Sequence, residues 1–182
     1  MTGIATQATI DPAEPLVAQA IRGDEAAFAT IVRRYHGDMV RVSFVVSGDA
    51  QIAEDAVAAA WPIVWQRLRS LREPSRLQPW LCTIAANEAR QLARRQERRR
   101  LREVPVEVSP DGTSPDPYAR VEDLDLAAAL ARLHPDDRAL LALRYVVGLN
   151  ASELAHAIHM SAPGTRARLA RLLARLRKEL TS

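Results

Sequence analysis

The residues best suited to chemistry in this sequence are arginines that lie on two predicted helices. The last helix carries an apolar stripe, and a row of guanidinium groups lies off that stripe: Arg166, Arg168, Arg171 and Arg175. A second basic run, from Arg90 to Arg102, holds seven Arg and one Glu. Guanidinium groups bind phosphate and guanine in a bidentate manner. Both runs therefore favour a nucleic-acid partner over an ordinary solvated helix surface.

Catalytic and metal-binding arrangements are not evident in the sequence. His156 and His159 are three residues apart, but no carboxylate or thiol stands at a coordinating spacing beside them. Glu54 and Asp55 are adjacent, and adjacent positions diverge around a helix axis, which disfavours a general acid–base pair. We find no glycine-rich phosphate loop and no nucleophile–base arrangement. We therefore expect no enzymatic activity, no metal site and no cofactor.

The composition is typical of a soluble helical protein of the cytoplasm. The 182 residues are 48% hydrophobic and 26% charged but only 4% aromatic, a mixture that favours helices over sheets. The single cysteine, Cys82, excludes an internal disulfide and suits a reducing compartment. The first cation is Arg22, and Pro62 interrupts the longest uncharged apolar run, so we expect neither a signal peptide nor a membrane span.

A proline-rich segment divides the chain into two basic parts. Residues 103–122 carry five acidic residues against one arginine and contain four prolines, a composition typical of an extended linker: Pro105, Pro110, Pro115 and Pro117. The net charge of +3 is thus the sum of two basic blocks and an acidic spacer. We predict an N-terminal tail at 1–15, a first domain at 16–102, a linker at 103–122 and a second domain at 123–182.

Helical periodicity predicts a four-helix bundle in the first domain. A short helix is expected near 16–22, and the two longer helices that follow have Asp24 and Asp49 as predicted N-caps. Pro62 is expected to interrupt and kink the second long helix, because it removes the hydrogen bond to the Ala58 carbonyl. The fourth helix is expected to begin near Pro79 and to run into the basic segment.

The second domain is predicted to hold four shorter helices, the last two forming a helix-turn-helix. Asn150 and Glu153 have the spacing of a capping box, and a turn at His159 precedes a last helix capped by Ser161. His159 would need a left-handed backbone, which histidine tolerates better than most side chains. The inward face of the last helix is predicted to consist of Leu169, Leu173, Leu176 and Leu180. The second helix of such a motif enters the DNA major groove.

Several short motifs, in this order, resemble the extracytoplasmic-function sigma factors of the sigma-70 family, the short type with only regions 2 and 4. The start of region 2 resembles Gly23-Asp24-Glu25-Ala26-Ala27-Phe28, and region 2.2 resembles Ala53-Glu54-Asp55-Ala56-Val57 with Trp61 and Trp65. Regions 2.3–2.4 are similar to Trp80-Leu81-Cys82-Thr83-Ile84-Ala85-Ala86-Asn87 with Arg94-Arg95. Region 4 is similar to Leu133-His134-Pro135, Glu153-Leu154-Ala155 and Arg166-Ala167-Arg168-Leu169. Ala58-Ala59 replaces the family's usual Gln-Glu pair.

This resemblance implies an all-α subunit of bacterial RNA polymerase, with a region 2 helical bundle and a region 4 helix-turn-helix joined by a flexible acidic linker. The region 2.2 helix would dock on the core enzyme through Glu54, Asp55, Trp61 and Trp65. The −10 element would be recognised and opened by Arg72, Ser75, Arg76, Gln78, Trp80, Asn87, Arg90, Arg94 and Arg95. The −35 element would be read by Ser161, Arg166, Ala167, Arg168, Arg171 and Arg175. The implied partners are core RNA polymerase, promoter DNA and an anti-sigma factor.

Two other interpretations stay open from the sequence. The chain could be a stand-alone helix-turn-helix regulator that binds DNA without polymerase, or a sigma-like module that acts mainly through an anti-sigma partner. DNA binding by the chain alone would discriminate between them, because an isolated sigma factor usually needs the core enzyme.

Overall fold

The computed structural model describes residues 13–102, 126 and 128–180, and the regular secondary structure within these ranges is helical. The first half contains four α-helices: α1 (Ala13–Ile21), α2 (Glu25–Ser47), α3 (Ala50–Arg67) and α4 (Leu77–Arg102). Short 3₁₀ turns at Leu68–Ser70 and Pro74–Arg76 connect α3 to α4. The second half contains helical residues at 126 and 128–131, followed by α5 (Pro135–Leu141), α6 (Ala151–Ala157) and α7 (Ala162–Leu180). The predicted linker at 103–122 lies outside the described residues.

The predicted helix caps are confirmed. The Asp24 carboxylate accepts a hydrogen bond from the Ala27 amide at the start of α2, and the Asp49 carboxylate accepts one from the Ile52 amide at the start of α3, both at 3.0 Å. Each bond satisfies one of the amides that lack an intrahelical partner. Between the two helices Gly48 adopts a left-handed backbone with φ 71°, and its amide donates to the Phe44 carbonyl.

Three helices begin earlier than predicted, and each has a proline in its first turn that accounts for the difference. The helix α1 begins at Ala13 instead of residue 16, α4 at Leu77 instead of Pro79, and α5 at Pro135 instead of residue 136. A proline in the first turn costs no hydrogen bond, since the first amides of a helix have no intrahelical acceptor. The helix therefore starts at or before the proline.

Pro62 does not interrupt α3, contrary to the prediction. The helix continues from Ala50 to Arg67 with Pro62 inside it. Ala58, whose carbonyl loses its usual donor, is exposed on the outer face of the helix. Water can therefore hydrogen-bond this carbonyl, and the apolar contacts of the opposite face hold the helix together.

The first half is a bundle in which α2, α3 and α4 pack against one another, with α1 against α2. Its interior is aliphatic, and the largest fully buried side chains of these helices and their connection are Val17, Ile31, Met39, Val46, Val57, Val64, Leu68, Leu77 and Leu81. Burying each such side chain contributes about 1.5–3 kcal/mol relative to exposure. This packing holds α4 in place, and α4 carries most of the predicted −10 residues.

The second half confirms the helix-turn-helix, with one change in its buried face. His159 has φ 56° at the predicted turn, and Asn150 and Glu153 form the predicted capping box. On α7, however, the buried residues are Thr165, Leu172 and Leu176, whereas Leu180 is 46% exposed. The seven-residue α6 is about 10 Å long and α7 about 28 Å, so α6 cannot cover the far end of α7.

One hydrophobic core includes buried residues of both halves. Helix α5 packs against α2 and α4, and so does the π-helical turn Ala142–Val146 that continues it. Leu140 and Leu143, from these two elements, are fully buried. The two parts that the sequence separates are therefore in direct contact.

Candidate nucleic-acid interface

The predicted −10 residues follow the 3₁₀ turn Pro74–Arg76 and one face of α4. Arg72, Ser75 and Gln78 are exposed around the turn, and Trp80 is half-buried against the core. This partial burial of a large ring fixes the start of α4 relative to the bundle. Farther along, Arg95 is exposed, in keeping with a binding role.

An open polar cleft of about 380 Å³ lies between α2 and this turn. Its walls include Arg34 and Asp38 of α2 together with Ser75 and Gln78. The Gln78 amide donates to the Asp38 carboxylate at 2.7 Å. Donors and acceptors thus face the same space, which suits a ligand with hydrogen-bonding edges, such as a nucleobase.

Several of the predicted −10 side chains contact the second half of the chain. Arg76 forms an ion pair with Glu153 at the start of α6. Arg90 and Arg94 both face Asp136 of α5, at nitrogen–oxygen distances of 3.8 and 3.5 Å. The Asn87 amide donates to the carbonyl of Ala157 at 3.5 Å. Sequence reasoning found these side chains but not their partners, which lie at least 42 residues away along the chain.

The predicted −35 residues lie along α7, and most of them face solvent. Ser161 caps the helix, since its hydroxyl accepts a hydrogen bond from the Gly164 amide at 3.2 Å. Arg175 is exposed and pairs with Glu179 one turn later at 3.0 Å. The other exposed members are Arg166, Ala167 and Arg171.

Arg168 differs from these because it is bound within its own half of the chain. Its Nε and Nη2 atoms both lie 2.8 Å from the Asp137 Oδ1 atom, and the side chain is only partly exposed. This pair joins α7 to α5, so it fixes α7 relative to the rest of the second half. The sequence analysis did not single out Asp137, because its partner is 31 residues distant along the chain.

The predicted core-binding residues lie on α3, where an aromatic cluster stands beside two carboxylates. Glu54 and Asp55 are exposed, and Trp65 is 41% exposed. Phe28 of α2 makes edge-to-face contacts with both tryptophans, at ring-centre distances of 5.8 Å to Trp61 and 4.7 Å to Trp65. An exposed aromatic next to acidic groups is suited to protein contact.

His36 of α2 connects the carboxylate and aromatic parts of this surface. The Trp61 indole nitrogen donates to its Nδ1 atom at 3.2 Å, and its Nε2 atom lies 3.5 Å from the Glu54 carboxylate. The sequence analysis did not include His36 or Phe28 among the site residues. The two residues are eight positions apart on α2, a spacing that places both on one face of the helix and could have identified them.

Two buried polar groups lie where the halves meet. Burial raises the pKa of the Cys82 thiol to about 12, so it stays protonated and unreactive near neutral pH. Burial lowers the pKa of the Arg138 guanidinium, while the nearby charge of Glu97 on α4 acts in the opposite direction. Arg138 nevertheless stays charged, because its ordinary pKa is far above neutral. Its Nε atom has no hydrogen-bond partner within the described part of the chain.

Neither a metal centre nor a membrane anchor is found in the part of the chain that the structure covers. No cluster of three His, Cys, Asp or Glu residues there could hold a metal ion. None of the helices there is both long and apolar enough to cross a bilayer.

Comparisons with known proteins agree with this arrangement. Residues 31–99, which span most of α2 to α4, match the family model for sigma-70 region 2. The RNA polymerase sigma factor CarQ of Myxococcus xanthus is 35% identical over 163 residues, which cover 86% of this chain and 88% of CarQ. The probable RNA polymerase sigma factor RfaY of Xanthomonas campestris is 27% identical over 168 residues, and the match covers 88% of this chain but only 42% of RfaY.

A solved structure has the same fold. The sigma factor RpoE, in complex with the anti-sigma factor NepR from Bartonella quintana, superposes with a TM-score of 0.67 at 23% identity. The superposition covers 85% of this chain and 96% of RpoE. The fold likeness includes both halves of the chain.

Proposed function

The chain belongs to the RNA polymerase sigma factors of the extracytoplasmic-function type, and we propose that it binds bacterial core RNA polymerase and directs it to promoters with −10 and −35 elements. The observation that carries this proposal is the match of residues 31–99 to sigma-70 region 2. These residues include α3, with its acidic and aromatic surface, and the basic face of α4. Sigma factors regulate transcription and are not enzymes. We accordingly assign this chain a binding role in the cytoplasm, where the polymerase works.

In this proposal the α3 surface docks on the core enzyme. The carboxylates of Glu54 and Asp55 attract a basic partner, and Trp61 and Trp65 provide apolar area for contact. Aromatic side chains at the centre of an interface commonly supply much of its binding energy. Ala58 and Ala59 are exposed beside them and add little bulk, so this interface depends on the carboxylates and aromatics.

The −10 element is assigned to the Arg72–Gln78 turn and to α4. Opening a promoter requires single-stranded bases to be held outside the stack, which proteins achieve with aromatic rings, polar pockets and basic grooves. The cleft beside Gln78 supplies hydrogen-bonding groups, and Trp80 supplies an aromatic ring. The arginines of α4 would hold the phosphates.

The −35 element is assigned to α7. Its exposed arginines project from the second helix of a helix-turn-helix, the element that enters the major groove in such proteins. Arg168 and Asp137 set the angle of that helix, while Arg166, Arg171 and Arg175 remain available to DNA. Arg175 would have to leave its exposed pair with Glu179, which is a weak interaction.

We propose in addition that an anti-sigma protein is among the partners of this chain. The support is the likeness in fold to RpoE, which was solved together with the anti-sigma factor NepR. The surfaces open to such a partner are the same acidic and basic faces that polymerase and DNA would use.

The first experiment measures co-elution of the chain with bacterial core RNA polymerase by gel filtration. Wild-type chain is expected to co-elute, and the Glu54→Lys/Asp55→Lys variant is expected to lose at least tenfold in affinity, because two interface charges are reversed. The matched control is Glu14→Lys/Glu25→Lys, which makes the same charge change at two exposed residues of α1 and α2.

Two results would contradict the proposal. One is equal co-elution of both double variants. The other is failure of the wild-type chain to bind core enzyme together with tight, specific binding to duplex DNA, which would establish a stand-alone regulator.

A further inference from the structure

His36 of α2 lies between a carboxylate and an aromatic ring of the surface that we assign to core polymerase. Its Nδ1 atom accepts a hydrogen bond from the Trp61 indole nitrogen at 3.2 Å, and its Nε2 atom lies 3.5 Å from a Glu54 carboxylate oxygen. The imidazole and indole rings are nearly parallel, with 9° between their planes. One side chain of α2 therefore contacts both kinds of group that α3 offers to a partner.

The contacts of His36 fit the neutral imidazole with its proton on Nε2. A ring nitrogen that accepts a hydrogen bond carries no proton, so Nδ1 is the acceptor and Nε2 carries the hydrogen. That hydrogen lies beside the Glu54 carboxylate, which can only accept. Donors and acceptors thus match at both ring nitrogens of this one protonation state.

The charged groups around His36 belong to α2 and α3. Among the described residues its ion-pair contact is with Glu54 of α3, and none is formed with α1, α4 or α5. Asp55, the next residue of α3, accepts a hydrogen bond from the Gln51 amide at 2.9 Å. Arg33, one turn earlier on α2, bonds within its own helix. A change in the charge of His36 therefore acts first on Glu54.

The contact between His36 and Trp61 also bears on the exposed ring of Trp65. The Phe28 ring stands edge-on to both tryptophans, with ring-centre distances of 5.8 Å to Trp61 and 4.7 Å to Trp65. Such aromatic pairs prefer particular angles, so a rotation of one ring disturbs the next. The hydrogen bond from Trp61 to His36 thus helps to set the angles of the whole aromatic cluster.

We propose that His36 is a positioning residue of the core-binding surface, where its neutral imidazole holds Glu54 and Trp61 in the arrangement that core polymerase binds. This inference rests on the function proposed above, since it concerns the same surface. A second proton on His36 would occupy Nδ1 and remove the acceptor of the Trp61 indole. The added positive charge would also offset the Glu54 carboxylate, which attracts a basic partner. Both effects weaken core binding as the pH falls.

Two substitutions of His36 separate its hydrogen bonds from its charge. His36→Gln keeps an acceptor oxygen for Trp61 and an amide donor for Glu54, but its side chain does not take up a proton. His36→Phe keeps an aromatic ring and removes both polar contacts. The matched control is His156→Phe, which makes the same replacement at an exposed histidine of α6.

The first measurement is the dissociation constant of the rhodamine-labelled full chain for core RNA polymerase, at about pH 8 and at about pH 5.5, because histidine side chains change charge between these values. At the higher pH we expect His36→Phe to bind about three- to tenfold more weakly than wild type, and His36→Gln and His156→Phe to bind within about twofold of it. On lowering the pH, wild type should lose about three- to tenfold more affinity than His36→Gln, since only wild type gains a charge beside Glu54.

The second measurement is made on the free chain, so it does not depend on polymerase. Tryptophan emission responds to hydrogen bonds and charges at the indole ring, and Trp61 is the tryptophan that bonds to His36. The emission of wild type is expected to change between the two pH values more than that of His36→Gln. Equal changes in the two proteins would contradict the described contact.

Three binding results would overturn the role of His36: equal affinity of His36→Phe and wild type at the higher pH, equal pH dependence of wild type and His36→Gln, or an equal loss in His156→Phe. Glu54→Lys/Asp55→Lys is measured alongside to test the underlying function. If this charge reversal weakens binding while His36→Phe does not, the docking surface stands and only the role of His36 is lost. Failure of wild type to bind core enzyme at either pH would overturn the proposed function and this inference with it.

Discussion

At the scale of single residues, the same side-chain type serves different purposes according to its partner. Arg171 and Arg168 are both arginines of α7 off its buried face, yet Arg171 is exposed and Arg168 is held by Asp137. The sequence can predict that both lie on the polar side of the helix, because that follows from periodicity. It cannot predict the pairing, since the partner belongs to another element and its position depends on the whole fold.

Gly48 is the residue at which a small substitution should reveal the contact between the halves. We expect Gly48→Ala to lower the free energy of unfolding by at least about 1 kcal/mol, because the left-handed backbone disfavours a side chain. The added methyl group would also displace Arg138. Urea denaturation followed by circular dichroism measures the change.

Gly37 is the matched control for that substitution. It lies inside α2, and a methyl group there meets no atom within 4 Å. Gly37→Ala should therefore raise stability by about 0.5–1 kcal/mol. A stabilising effect of Gly48→Ala would contradict the described geometry at the end of α2.

At the scale of elements, helix caps were predictable, whereas helix starts near prolines and the buried faces of helices were less so. Asp24, Asp49 and Asn150 cap helices as predicted, because a cap depends only on residues three or four apart. The prediction that Leu180 of α7 is buried was wrong. Burial at the end of α7 depends on the length of α6, and the periodicity of α7 does not contain that information. The π-helical turn Ala142–Val146 was not anticipated, because no local residue pattern specifies an extra residue in a helical turn.

The short helix α6 should depend strongly on its N-terminal cap. The Asn150 side chain accepts hydrogen bonds from the amides of Ser152 and Glu153, at 2.9 and 3.0 Å. We expect Asn150→Ala to reduce the free energy of unfolding by about 1 kcal/mol, as loss of a cap generally does. Ser152→Ala, at an exposed position of the same turn, should change it by less than about 0.5 kcal/mol. Equal effects of the two substitutions in urea titrations would argue against the cap.

At the scale of the whole molecule, the shared core makes the two halves one structure in the free chain. The proline-rich composition of 103–122 predicted two parts joined by a linker, and composition alone does not report whether those parts touch. The contacts of α5 with α2 and α4 are non-local, so they become visible only when the fold is known. The candidate DNA-binding residues were chosen from the sequence and stay a prediction, whereas their contacts with the other half became visible only in the fold.

A shared core predicts cooperative unfolding. The three tryptophans, at positions 61, 65 and 80, all belong to the first half, whereas circular dichroism reports on helices of both halves. We expect urea transitions followed by tryptophan fluorescence and by circular dichroism to coincide, as they do for a two-state unit. Two separate transitions would mean that the halves unfold independently.

The Glu153 carboxylate has two oxygens with two separate tasks. Oε2 accepts the hydrogen bond of the Asn150 amide within α6, while Oε1 pairs with Arg76 of the other half. Loss of the second contact leaves the first intact, so α6 keeps its capping box without the ion pair to Arg76. Separation of the two halves would instead expose Leu140 and Leu143 of the shared core, so its kinetic barrier belongs to the slower range of local unfolding.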